Sequence, residues 1–144
     1  MPTQVLSHDP PIRIEFDPAK NVVLESSKQH RFLMFEHEVG MNSRRVPETR
    51  KLSEFLYAVR EWSESHDAQL ESTFVRIADG HLDIMFITKM TDYDPNFNDE
   101  MVDFDLELAK RFDWLRAEVM QIPGPVSESP ISLRNSVQVY GDSI

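Results

Sequence analysis

The stretch "VRIADGHLDIMFITK", residues 75–89, decides the fold. Asp79 and Gly80 separate two apolar runs, and an Asp-Gly pair in this setting predicts a β-hairpin with a two-residue type I′ turn, which needs positive φ at both central residues. This turn places three cross-strand pairs on a nearly apolar face and three on the opposite face. The apolar face carries Ile77–Leu82, Val75–Ile84 and Thr73–Phe86, and the outer face carries Ala78–His81, Arg76–Asp83 and Phe74–Met85.

The polar island at the turn has two interpretations. Arg76 opposite Asp83 is a favourable cross-strand charge pair, so a solvated pair with an incidental His81 explains most of it, and we favour that reading. Alternatively, Arg76, His81 and Asp83 form a binding face, because a cation, an imidazole and a carboxylate can bind ligands or transfer protons.

The outer face of this hairpin also carries apolar side chains. Phe74, Met85 and Ile87 flank the charged pair. Such residues need cover from another element, from the C-terminal segment or from a partner subunit. The hairpin therefore gives one reason to expect a protein partner or self-association.

Hydrophobic periodicity assigns the remaining elements. "IRIEF" and "VVLES" read as two strands joined by a turn. A helix is predicted near 27–39, and a strand at "RFLMF" is the alternative. Amphipathic helices follow around 52–62 and 101–112, and a strand begins near 115. The element order is β-β-α-α-β-β-α-β, which predicts a single α+β domain with a mixed or antiparallel sheet of about five strands and helices packed against it.

The predicted domain has a loose segment at each end. Residues 1–11 form a flexible arm, residues 12–123 form the domain, and residues 124–144 form a Pro/Ser-rich tail. Within that tail, "SVQVY" can add an edge strand to the sheet.

Composition limits the classes of function. The 144 residues carry 25 acidic and 15 basic side chains, a formal net charge of −10, and no cysteine. A surface this negative repels phosphate backbones, so nucleic acid is not expected as a partner. The absence of thiols, of a signal-peptide pattern and of a membrane-length apolar run favours a cytoplasmic protein without a membrane partner.

An acidic segment, "DYDPNFNDEMVD", spans residues 92–103 and spaces its oxygen-bearing side chains like a calcium-binding loop. Asp92, Asp94 and Asn96 are its candidate metal ligands. Phe97 stands where such a loop needs glycine. The alternative is an Asp-Pro turn leading into an Asn-capped helix with acids in its first turn.

The chain contains no nucleophile elbow, phosphate-binding glycine loop or metal-binding histidine motif, so neither a catalytic residue nor a cofactor is predicted. From Leu52 onward, however, the order helix, strand, strand, helix, strand resembles the core of the nucleotidyltransferase-like fold. That family carries Gly-Ser before an Asp-x-Asp pair on the second strand and a third carboxylate on a later strand, and these acids hold divalent metals.

The resemblance covers about half the chain, in topology rather than in motif. His81 stands where the first Asp would be, Asp83 is kept, Glu118 takes the place of the third acid, and no Gly-Ser precedes the pair. The resemblance implies Mg-nucleotide binding through Asp83 and Glu118, in an active or a degraded, non-catalytic relative.

The sequence therefore supports three expectations about function. The leading one is a small non-catalytic protein-binding or assembly module, whose candidate binding face contains Arg76, His81, Asp83 and Glu118. The second is the nucleotidyltransferase-like domain, and the third is a cation-stabilised acidic loop at Asp92 to Asp103.

Overall fold

The computed structural model describes residues 11–41, 49–125, 132–133 and 135–142. Within these ranges the chain forms three helices and seven strands, in the predicted α+β order. The elements are β1 (Ile12–Arg13), β2 (Glu15–Phe16), β3 (Val22–Val23), α1 (Ser26–Met41), α2 (Thr49–Ser65), β4 (Leu70–Ala78), β5 (His81–Thr88), α3 (Pro95–Arg111), β6 (Ala117–Pro123) and β7 (Ser136–Gly141).

Five strands form one mixed sheet in the order β1-β7-β4-β5-β6, as the sequence predicts. Strand β4 pairs antiparallel with β5 and with β7, whereas β5–β6 and β1–β7 are parallel pairs. The predicted first strand divides at Ile14, which is fully buried. Its first half joins the sheet, and its second half pairs with β3 in a separate two-stranded hairpin.

The register of the central hairpin is confirmed at all six predicted pairs. The predicted turn type is wrong. Gly80 has a φ of +78°, but Asp79 does not have positive φ, so the turn is not type I′. An L-residue with positive φ is strained by about 1–2 kcal/mol, and this turn confines that conformation to glycine.

The C-terminal segment lies inside the sheet rather than at its edge. Strand β7 sits between β1 and β4. Val137 and Val139 explain this position, because both side chains are buried in the main core. Residues 1–10 of the predicted arm lie outside the described residues, as does part of the segment that precedes β7.

The main core lies between the sheet and the helices. Helix α2 buries Leu52, Phe55, Leu56 and Val59 there, which is the apolar stripe predicted from the sequence. Helix α3 connects the parallel strands β5 and β6 and buries an equivalent stripe. No helix in the described part of the chain is long and apolar enough to cross a bilayer.

The opposite face of the sheet has a small second core. Phe74, Met85 and Ile87 are fully buried there, and Leu133 packs against them. Leu133 belongs to the connection between β6 and β7. These three side chains are therefore covered within the chain, and their burial does not require a partner subunit.

Candidate functional site

The four candidate binding residues come together on this second face, at one end of the sheet. Arg76 near the end of β4 pairs with Asp83 on β5, and Asp83 pairs in turn with Glu118 on β6. His81 opens β5 and lies two residues before Asp83, so both side chains point to the same face. Three neighbouring strands thus carry one cluster, which we call the Asp83 cluster (Arg76, His81, Asp83 and Glu118).

Asp83 is the buried centre of this cluster, with only 4% of its surface exposed. Its Oδ2 accepts hydrogen bonds from Nη2 of Arg76 at 2.7 Å and from Nε at 3.3 Å. Arg76 also donates from Nη1 to the backbone carbonyl of Ser132, at 2.9 Å. The expected solvated charge pair is therefore a largely buried ion pair, with side-chain exposures of 24% for Arg76 and 6% for Asp83.

His81 lies between the two carboxylates. Its Nε2 is 2.9 Å from Oδ1 of Asp83 and 3.7 Å from Oε2 of Glu118. Its other nitrogen, Nδ1, lies 3.1 Å from the backbone carbonyl of Asp79 in the hairpin turn. The turn thus orients the imidazole edge-on toward both acids.

The cluster has the chemical composition of a cation site. Ligand atoms of His81, Asp83 and Glu118 all lie within 4.8 Å of one another. One imidazole and two carboxylates are a common ligand set for divalent metal ions, and they can also move protons. Glu118 is half exposed, so the site is open to solvent on that side.

Negative charge accumulates around Glu118. Burial raises the pKa of Asp105 on α3, and the negative charge of Glu118 raises it further. Arg116 offers partial compensation, since its Nη2 is 3.9 Å from Oε2 of Glu118, but 70% of its side chain is exposed. An exposed arginine at this distance screens the carboxylate weakly.

The acidic segment 92–103 forms a helix start. Asp94 is the N-cap of α3, and its Oδ1 accepts hydrogen bonds from the backbone N–H groups of Asn96 and Phe97. The cap is thus aspartate rather than the expected asparagine. Gln121 on β6 secures it, because its side-chain amide accepts from the backbone N–H of Asp94 and donates to its carbonyl.

Within the described residues, no trio of His, Asp or Glu ligand atoms converges at Asp92 or Asp94. Asn96 already belongs to the helix. Calcium binding by this segment stays a prediction.

The sequence reasoning missed an apolar groove between α1 and the β2–β3 hairpin. It encloses about 670 Å³ and is lined by Ala19, Asn21, Val22, Leu24, Gln29, Phe32, Leu33, Glu36 and Ser53. Leu33 is 61% exposed beside it. The signal was present in "RFLMF", because a helix that buries Phe32, Phe35 and Val39 must turn Leu33 and Met34 away from the core.

Comparisons with known proteins identify no family. No protein-family model matches the chain, and no curated protein or solved structure matches it.

Proposed function

We propose that this protein is a non-catalytic binding module that holds a segment of another polypeptide in the groove between α1 and the β2–β3 hairpin. The observation that carries the proposal is the open apolar groove itself, with Leu33 exposed at its rim. Its volume of about 670 Å³ is within the usual range for binding pockets, about 300–1,000 Å³. The burial of Phe74, Met85 and Ile87 removes the hairpin's outer face as the docking surface and favours the groove.

The groove favours a basic, amphipathic partner helix. Helix α1 has 16 residues, so it offers a wall about 24 Å long, enough for several turns of a helix packed alongside it. Glu36 lines this groove in a chain of net charge −10. A second copy of the same chain would be repelled by that charge, whereas lysine and arginine flanking an apolar stripe would be attracted.

The test uses a random peptide library selected against the immobilised protein. Enriched peptides should show apolar residues at spacings of three and four together with basic residues. Leu33→Glu should weaken their binding at least about tenfold, equivalent to about 1.4 kcal/mol, because it puts a charge into an apolar contact. Leu106→Glu is the matched control, since Leu106 is a similarly exposed leucine (58%) on α3, and it should leave binding unchanged.

Two outcomes would overturn this proposal. Selected peptides that bind Leu33→Glu as tightly as the parent protein would place the binding surface elsewhere. A stable dimer in sedimentation experiments that Leu33→Glu dissociates would make a second copy of the chain the occupant, not a basic partner.

A second candidate function is Mg-nucleotide binding through Asp83 and Glu118, in a nucleotidyltransferase-like domain. The observation that favours it is register, since these two acids lie directly opposite each other on the neighbouring parallel strands β5 and β6. A nucleotide at about 100 times its Kd adds about 2.7 kcal/mol to the free energy of unfolding, a rise of several degrees in Tm.

The test is thermal unfolding of the protein with Mg²⁺ alone and with Mg²⁺ plus each of several nucleotides. The stabilisation should disappear in Asp83→Asn and in Glu118→Gln. Stabilisation that persists in both variants would contradict this second candidate. The exposed Glu118 keeps the test interpretable if the buried Asp83 substitution impairs folding.

A further inference from the structure

We propose that His81, Asp83 and Glu118 bind a divalent transition-metal ion of the zinc class, through Nε2, Oδ1 and Oε2 respectively. This site is separate from the groove and does not depend on polypeptide binding. It also differs in chemistry from a magnesium-nucleotide site.

The backbone offers an acceptor to one nitrogen of His81. A carbonyl oxygen can only accept, so the contact of Nδ1 with the carbonyl of Asp79 at 3.1 Å is a hydrogen bond in the tautomer that carries its proton on Nδ1. A neutral imidazole has one N–H, and its Nε2 then presents a lone pair. That lone pair faces Oδ1 of Asp83 at 2.9 Å and Oε2 of Glu118 at 3.7 Å.

Three acceptors that point at one another repel unless a positive charge lies among them. The charge can be a second proton on His81 or a bound cation. Arg76 does not supply it, because its two hydrogen bonds to Asp83 both go to Oδ2, away from His81. A metal ion satisfies all three acceptors together, whereas a proton on Nε2 forms a close hydrogen bond with Asp83 alone.

The spacing of Nε2 of His81 from the two carboxylate oxygens fits a small four-coordinate ion. Ligand atoms about 2.0–2.1 Å from a tetrahedral metal lie about 3.4 Å apart. The distances from Nε2 to the two carboxylate oxygens, 2.9 and 3.7 Å, bracket that value. The half-exposed Glu118 side chain can adjust, and three protein ligands leave the fourth position to water.

The surroundings hold the ligands in place, as they do in metal proteins. A metal-binding histidine usually donates its other N–H to a carbonyl or carboxylate, and ligating carboxylates are themselves hydrogen-bonded. Here the Asp79 carbonyl has the first role and Arg76 has the second. Because the ligands lie on paired strands, their positions are set by the sheet register.

The imidazole determines the class of metal. Mg²⁺ and Ca²⁺ prefer oxygen ligands, whereas imidazole suits zinc and its transition-metal neighbours. The formal charges of Asp83, Glu118 and Arg76 sum to −1, so a dication leaves the site at +1. The negative charge of Asp105, which interacts with Glu118, partly offsets that balance.

The test measures Zn²⁺ and Mg²⁺ binding to the EDTA-treated full chain by titration calorimetry. The parent protein should bind one Zn²⁺ at this site and bind Mg²⁺ far more weakly. His81→Gln and Glu118→Gln should each weaken Zn²⁺ binding at least about tenfold. The matched controls are His37→Gln and Glu107→Gln, whose side chains are outside the cluster and exposed, and they should bind as the parent does.

Equal Zn²⁺ affinity in the parent, His81→Gln and Glu118→Gln would overturn the proposal and assign the binding to scattered surface histidines. So would the absence of Zn²⁺ binding, which would leave the second proton of His81 as the balancing charge. Mg²⁺ affinity equal to that of Zn²⁺ would contradict the assigned class of metal. Circular dichroism of each variant shows that it is folded before its affinity is compared.

Discussion

At the scale of single residues, Asp83 concentrates the polar chemistry of the molecule. It is buried and has three polar neighbours. Arg76 donates to its Oδ2, Nε2 of His81 lies close to its Oδ1, and Glu118 is its partner on the neighbouring strand β6. A buried carboxylate depends most on its cation, because loss of Arg76 leaves an uncompensated charge, whereas Glu118 carries a charge of the same sign as Asp83. Substitutions around Asp83 should therefore have unequal effects.

Arg76→Gln should lower the free energy of unfolding by about 3 kcal/mol, because it leaves the Asp83 carboxylate without its cation. Arg116→Gln is the matched control. Arg116 is 70% exposed and 3.9 Å from its acid, so its loss should cost less than about 0.5 kcal/mol. Urea unfolding of both variants measures the difference, and equal losses would contradict the buried ion pair.

The raised pKa of Asp105 makes the stability of the fold depend on pH. Burial, and then the charge of Glu118, raise its pKa in the folded state. A raised carboxyl pKa means that folding disfavours the ionised form, so the contribution to stability is fully present below the unfolded-state pKa of about 3.9 and is lost as pH rises through the folded value.

Asp105→Asn should therefore increase stability at pH 7 and give no gain near pH 3. Partial exposure screens the effect, which should be about 0.5 kcal/mol or less. Urea midpoints at the two pH values measure it. In Glu118→Gln the pKa of Asp105, followed by NMR, should fall toward its ordinary value, and an unchanged pKa would contradict the coupling.

At the scale of elements, the side chain of Asp94 caps the start of α3. Asp94→Ala should cost about 1 kcal/mol, because two backbone N–H groups lose their acceptor. Asp92→Ala is the control, since Asp92 is exposed just before the cap, and it should cost less than about 0.5 kcal/mol. Chemical denaturation separates them, and an equal cost would mean that general acidity, not capping, stabilises this helix start.

The elements also show how far the sequence predicts this structure. The period-two pattern and the Asp-Gly turn were sufficient for the register, and the register brought Arg76 and Asp83 together. Glu118 was reached through the order of the elements, because strand pairing places it beside Asp83. The burial of Asp83 could not be predicted, since residues distant in sequence, such as Ser132 and Leu133, meet this face of the sheet only in the folded chain. Local patterns do not contain that information.

At the scale of the whole molecule, the last strand of the described chain lies in the interior of the sheet. Strand β7 is bordered by β1, from the start of the described chain, and by β4 from its middle. Because β7 is hydrogen-bonded to both β1 and β4, strands from distant parts of the sequence stabilise one another. A destabilising substitution in β7 should consequently lower the stability of the whole sheet and not only of β7.

Val137→Ala should lower the free energy of unfolding by about 2 kcal/mol, through the lost burial of two carbons and the cavity that remains. The matched control is Val102→Ala on the surface of α3, where the valine is 46% exposed, and it should cost less than about 0.5 kcal/mol. Hydrogen exchange should show the protection of β4 and β5 falling together with that of β7. Faster exchange confined to residues 136–141 would contradict the idea that β7 stabilises the rest of the sheet.

The interior place of β7 also has a consequence during synthesis. A ribosome releases the chain from its N-terminus, at about 5–20 residues per second, so β4 emerges before its neighbour β7. Until 136–141 leave the exit tunnel, one side of β4 is an open strand edge, able to pair with another nascent chain. The time between the synthesis of β4 and that of β7, in addition to the stability of the finished fold, should then affect how much of this protein reaches its native state.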